Sequence, residues 1–346
     1  MKKWILVAIL IVTMAQPVYA TEITAPEAPD SAAALMPVEQ KTFGEDLWHV
    51  ICSAVEALEP DIAQCSGICL CVIGTVMMIS ILGSFPGKSK SVTELAGAVA
   101  VACLLLGSAY GSISAAAETV QQLSDYGKLL LPAMTTAVAA QGGLTSATAL
   151  YTGTAFFDTI LGSLISWLLL PVIYAYLVLS VAAAALEIDL LGKMQKFLKW
   201  LTSWGLKIII YIFTGYMTVT GVISGTADQA TLKATKMTIS GMVPVVGGML
   251  SDASETILIS AGTVKNAVGI YGLLALIAVA IGPFLRIGIQ YLMLKITASV
   301  CEIFGSKRIT GLVSDVSGAM GLLLAMTGTM CLLLMISTVC FLKGVG

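Results

Sequence analysis

Six apolar runs, at residues 62–82, 95–117, 156–186, 206–224, 267–301 and 318–342, dominate this 346-residue chain and leave few folds open to it. Each holds about the 20 residues that an α-helix needs to cross a bilayer core about 30 Å thick. Inside lipid every backbone amide must be satisfied within its own segment, so runs of this kind become helices. Charge content agrees: 11% of residues are charged, against about 25% in soluble domains. The expected fold class is therefore all-α, a polytopic helical membrane protein. Six crossings is a minimum, because 267–301 would measure about 50 Å as one helix. That run carries Pro283 and Arg286 near its middle, so it is expected as a kinked helix or a hairpin.

The charges between the runs set an orientation. Lys88 and Lys90 follow the first run, Lys193, Lys196 and Lys199 the third, and Lys307 and Arg308 the fifth. Alternate basic connections belong on the cytoplasmic side, which leaves 118–143 and 225–266 outside. Residues 1–20 read as a signal peptide, with Lys2 and Lys3, an apolar body from Trp4 to Met14, and Val18-Tyr19-Ala20 as a cleavage site. Its removal leaves an extracytoplasmic N-terminus; an uncleaved first span is the alternative. Residues 21–61 form an acidic extracytoplasmic leader before a membrane domain over 62–346. Within it 21–40 is expected to be a flexible tether. Residues 43–58 present Leu47, Val50, Ile51, Val55 and Leu58 at helical spacing, which predicts an amphipathic helix on the outer face. Between the third and fourth runs, 187–204 segregates Leu190, Met194, Phe197, Leu201 and Trp204 from Lys193, Gln195, Lys196 and Lys199. A helix lying flat on the cytoplasmic surface is predicted there.

A parallel internal repeat, about 129–224 and 241–337, underlies this pattern. Pro171 follows Pro132 at the same interval as Pro283 follows Pro244. The copies also share T-G-x-M followed by I-S, from Thr214 to Ser224 and from Thr327 to Ser337. Each copy opens on a short apolar stretch too brief to span, 129–140 with Pro132 and 240–250 with Pro244, Gly247 and Gly248. Such proline-broken backbone at membrane depth is tolerated only under protein cover or along an aqueous cavity. Re-entrant half-helices facing a shared pathway satisfy that condition, and so do interfacial amphipathic helices.

Charges in or beside the spans are the candidate functional residues: Asp158, Arg286 and Asp315, with Asp252 and Glu255 after the Gly-Gly pair. An ionised side chain at the bilayer centre costs about 2.5–3.5 kcal/mol on insertion scales, so it faces a cavity or a partner. Arg286 reads as the deepest. Gly107 and Gly111 form G-x-x-x-G, a spacing that lets helices approach closely. Cys65, Cys69 and Cys71 have no His or carboxylate beside them, so no metal site is expected, and no cofactor. The spans offer no paired Ser, His and carboxylate for catalysis, no Walker motif, and no basic face for nucleic acid.

The run Val243 to Ala253, V-P-V-V-G-G-M-L-S-D-A, resembles the stage III sporulation protein AE family, as do 225–236 before it and K-N-A-V-G at Lys265 to Gly269. The similarity extends over about 43–342. The resemblance implies a component of the mother-cell stage III A complex of endospore-forming bacteria. That complex joins a forespore protein called Q in a channel, or feeding tube, across the two membranes around the forespore. It also implies a place in the mother-cell (outer) membrane, with the other complex subunits, the Q protein and the lipid bilayer as partners. A homo-oligomer is left open. Two classes of function compete: a conduit whose path is lined by the broken segments and Arg286, and a non-conducting scaffold that docks other subunits.

Overall fold

The computed structural model describes residues 25–37, 42–83, 90–186, 188–242, 247–304 and 307–343, of which 90, 91, 189, 221–262 and 264 are described as backbone alone. After one helical turn at Asp30–Ala33 come α1 (Phe43–Glu56), α2 (Glu59–Gly83), α3 (Lys90–Ala140) and α4 (Leu144–Leu186). Then follow α5 (Asp189–Met242), α6 (Gly247–Phe304) and α7 (Lys307–Lys343). No strand occurs among the described residues. Five helices are long and apolar enough to cross a membrane: α2, Val92–Ala140 of α3, α4, Lys265–Phe304 of α6, and α7. The sixth expected crossing, 206–224, falls within α5, whose last part is described as backbone alone.

Side-chain pairs show that successive helices alternate in direction. Ile79 of α2 lies beside Gly97 of α3, whereas Asp61, near the other end of α2, shares a cavity with Gly111 of α3. Leu130 of α3 faces Gly272 of α6, and Ser112 of α3 reaches Gln290 of α6. Thr154 of α4 meets Ser337 of α7, while Tyr176 of α4 meets Asp315. Helices α3, α6 and α7 pack on one another at the centre, burying Leu123, Leu130 and Met134, Ala275 and Ile287, and Met320, Met326 and Leu334. The remaining long helices pack around them. At 51 and 58 residues, α3 and α6 are about 75–90 Å long, far beyond the bilayer core.

Three expectations are corrected. The stretch 129–140 is not broken: α3 passes through Pro132 and stops at Ala140. A proline inside a helix costs about 3 kcal/mol or more, but here Leu130, Leu131, Met134 and Val138 are buried on the packed face, and that packing outweighs it. The chain reverses ten residues later, at a glycine. Gly142 takes φ 86°, its N–H bonds Ala139 O at 2.9 Å, and the Gly143 N–H bonds Val138 O at 3.1 Å. This paired arrangement satisfies the last carbonyls of α3 and needs a left-handed residue, which glycine supplies without strain. Neither a re-entrant half-helix nor an interfacial one remains at 129–140. Pro244 lies outside the described residues; Gly247 and Gly248 are the first two residues of α6.

Pro283 and Pro171 are likewise absorbed into helices. α6 is one helix through Pro283, not a hairpin. α4 takes a single π-helical turn at Ile165–Leu169, where the Leu170 N–H bonds Ile165 O. The widened turn gives room to the ring of Pro171, which would otherwise meet the carbonyl four residues back.

Second, 187–204 does not form a separate surface helix. From Asp189 it is the start of the 54-residue α5. Gln195 and Thr202 are buried against the bundle, whereas Leu190, Met194, Phe197, Trp200 and Trp204 are exposed. Lys193, Lys196 and Lys199 are exposed as well, so apolar and basic side chains both point away from the bundle. Phe197, Trp200 and Trp204 stack in file at 6.1 and 5.5 Å, as aromatic side chains do at a membrane interface. Third, 25–37 is docked. Ala32 is buried, Ser31 Oγ donates to Gln122 Oε1 at 2.8 Å, and Leu35 and Met36 pack on the core. Polar composition pointed to a tether, yet the Asp30–Ala33 turn packs against α6 and the apolar residues after it reach the core. Helix α1 forms over the expected residues, but Asp46, Val50 and Ala54 face inward while Val55 is exposed.

Candidate functional site

A polar cavity of about 100 Å³ lies where α2, α3 and α6 meet. Arg286 and Gln290, one turn apart on α6, share the helical face that lines it. Helix α2 brings Asp61, whose Oδ1 lies 3.2 Å from Arg286 Nε. Helix α3 brings Gly107, Ser108, Gly111 and Ser112. Ser112 donates to Gln290 Oε1, and Gln290 Nε2 donates to Ser108 Oγ at 2.7 Å, so both ends of that amide are held. A side chain at Gly107 or Gly111 would meet nothing within 4 Å. The glycines therefore open the cavity and do not bring two helices together, which corrects the packing reading of G-x-x-x-G. The partner of Arg286 stands in the first turn of α2. A guanidinium carries five donors, and the Asp61 contact leaves others to meet a polar or anionic group entering the cavity.

Asp158 occupies a second site. It is 4% exposed, and Ser124 Oγ of α3 donates to its Oδ2 at 3.0 Å. Nearby Lys128 and Asp125 pair with each other at 2.7 Å on the outer side of α3. Asp315 belongs to a third, between α4, α5 and α7. Tyr176 Oη donates to its Oδ1 at 3.4 Å, and Gln195 Nε2 donates to Ser180 Oγ at 2.8 Å one turn further along α4. Lys199 Nζ and the Tyr176 hydroxyl converge over Gly318, where a Cβ would crowd both.

The three predicted charges that can be placed thus stand in three separate sites and share none. Asp252 and Glu255 fall on α6 where the backbone alone is described. The sequence reading missed Asp61, assigned to a solvated leader, as well as Gln290 and the two serines. Arg286 and Gln290 one turn apart, with Gly107, Ser108, Gly111 and Ser112 at i, i+4 spacing, were the available signal. Among the described residues no three His, Cys, Asp or Glu side chains are grouped as metal ligands.

No solved structure matches this chain. It is 27% identical over 202 residues to stage III sporulation protein AE of Bacillus subtilis (strain 168), covering 58% of this chain and 51% of that protein. The alignment thus spans about half the length of the curated relative. The family profile described as stage III sporulation protein AE matches residues 33–344, which takes in every site above. An all-helical chain with five membrane-crossing candidates, matched over nearly its whole length, belongs to the stage III sporulation protein AE family.

Proposed function

We propose that this chain is a membrane subunit of the channel, or feeding tube, that links mother cell and forespore, and that its Arg286 cavity contacts what the channel moves. Its partners on this reading are the other stage III A subunits, the forespore Q protein and the bilayer. It sits in the mother-cell membrane with its N-terminus outside the cytoplasm and its basic helix ends inside. The observation that carries the conduit reading is the Arg286–Asp61 pair with Gln290 in a cavity that two glycines keep open. A pair serving only to stabilise the fold would not need that space. The stretches of about 129–224, from the end of α3 into α5, and about 241–337, from α6 into α7, are read as the two copies of a parallel duplication. In support, Pro171 and Pro283 fall on α4 and α6, and the T-G-x-M motifs on α5 and α7.

A non-conducting scaffold is favoured by one observation: Asp158, Arg286 and Asp315 occupy three sites that do not join. Sporulating cells carrying Arg286→Ala distinguish the two. A conduit subunit is expected to co-purify with its partners as the parent does while forespore gene expression and spore yield collapse. Normal spore yield with the variant assembled would leave the scaffold.

A further inference from the structure

A cavity of about 240 Å³ opens between α3 and α4, lined among others by Ser124, Asp158, Thr159, Gly162, Ser163 and Ser166. Asp158 supplies the anomaly. One carboxylate oxygen accepts from Ser124, but the other, Oδ1, is buried and has no hydrogen-bond partner among the described residues. An unmatched carboxylate oxygen shut away from water is costly, and native structures keep such groups only with a reason. A positive ion beside Oδ1 resolves it.

The surroundings suit one positive charge. Lys128 also lines the cavity, but Asp125 neutralises it at 2.7 Å, which leaves the Asp158 carboxylate as the uncompensated charge. The other polar lining is rich in oxygen: the Ser124, Thr159, Ser163 and Ser166 residues carry hydroxyls, and the Gln121 amide, whose Nε2 donates to Asp125, and the Trp167 indole complete it. The π turn adds a further oxygen. The Leu170 N–H bonds Ile165 O, and Pro171 has no N–H, so the Ser166 carbonyl loses both the donor four residues on and the one five on. Asp158, Gly162 and Ser166 follow at i, i+4 spacing, so carboxylate and freed carbonyl lie on one stripe of α4. Hard oxygens with a single carboxylate match a monovalent ion; divalent ions gather more anionic ligands. We propose that Asp158 and Ser124 hold a monovalent alkali cation in this cavity, a site independent of the Arg286 cavity and of whether the protein conducts.

The test uses the full-length protein in nanodiscs. Its Tm is measured as LiCl, NaCl or KCl replaces N-methylglucamine chloride at constant ionic strength. One alkali ion is expected to raise Tm saturably by at least about 3 °C, since an ion bound only by the folded state stabilises it by mass action. Asp158→Asn, isosteric and neutral, should unfold no earlier than the ion-free parent and lose the ion-dependent rise. Ser124→Ala should shift the midpoint to at least about tenfold higher salt, and it keeps the test open if the asparagine variant does not fold. No rise in the parent, a rise only with Ca²⁺ or Mg²⁺, or a rise that survives in both variants would overturn the proposal. None of these outcomes bears on spore yield in Arg286→Ala, so this site and the conduit reading fail separately.

Discussion

Gly153 on α4 and the Gly107–Gly111 pair on α3 are small residues in the same bundle, put to opposite use. A Cβ at Gly153 would overlap the ring of Tyr216, which is fixed by a hydrogen bond to Ala149 O at 3.2 Å and by Phe157 at 5.9 Å. A Cβ at Gly107 or Gly111 would meet open space. The lone glycine is where helices touch, and the pair with the recognised dimer spacing is where they stand apart. Spacing reports which residues share a helical face; it does not report what that face meets.

Breaking this contrast at the tight glycine should cost stability. Gly153→Val overfills its site by about 1–3 kcal/mol, seen as a lower Tm of the purified protein, and Tyr216→Leu in the same chain should restore part of it. Leu130→Ala, across from Gly272, should cost a comparable about 2–5 kcal/mol through the void it leaves. The effect is read by the same melt. Gly111→Leu should leave stability within about 0.5 kcal/mol, as substitutions away from packed features do, yet fill the cavity beside Arg286. Spore yield should fall while the melt is unchanged; a matching fall in Tm would mean that Gly111 packs after all. Smallest is Lys128→Ala. Its pair with Asp125 is exposed on both sides, so no more than about 1 kcal/mol is expected, and added salt should erase it.

Much of the bundle was legible before any coordinates. The apolar runs located α2, α4, α6 and α7, because a segment that must satisfy its own amides in lipid has one regular solution. Helix boundaries were less legible. Pro132 looked like a break because proline removes a donor, and the sequence could not weigh that loss against burying Leu130 and Met134 between neighbouring helices. The inner segment looked like a surface helix because its periodicity marks two faces without saying that the helix runs on without a break. Of the candidate site, Arg286 stood out in the sequence as a charge within an apolar run, but Asp61 is more than two hundred residues away and could be found only once α2 lay beside α6.

The sequence by itself determined that this chain is helical and built for lipid, along with its family, since both follow from which residues occur and in what local order. Tertiary structure alone decided which glycines touch and which stand open, which proline takes a π turn, and which carboxylate answers Arg286. Those outcomes depend on distances between residues remote along the chain, and a pattern confined to one helix cannot encode them.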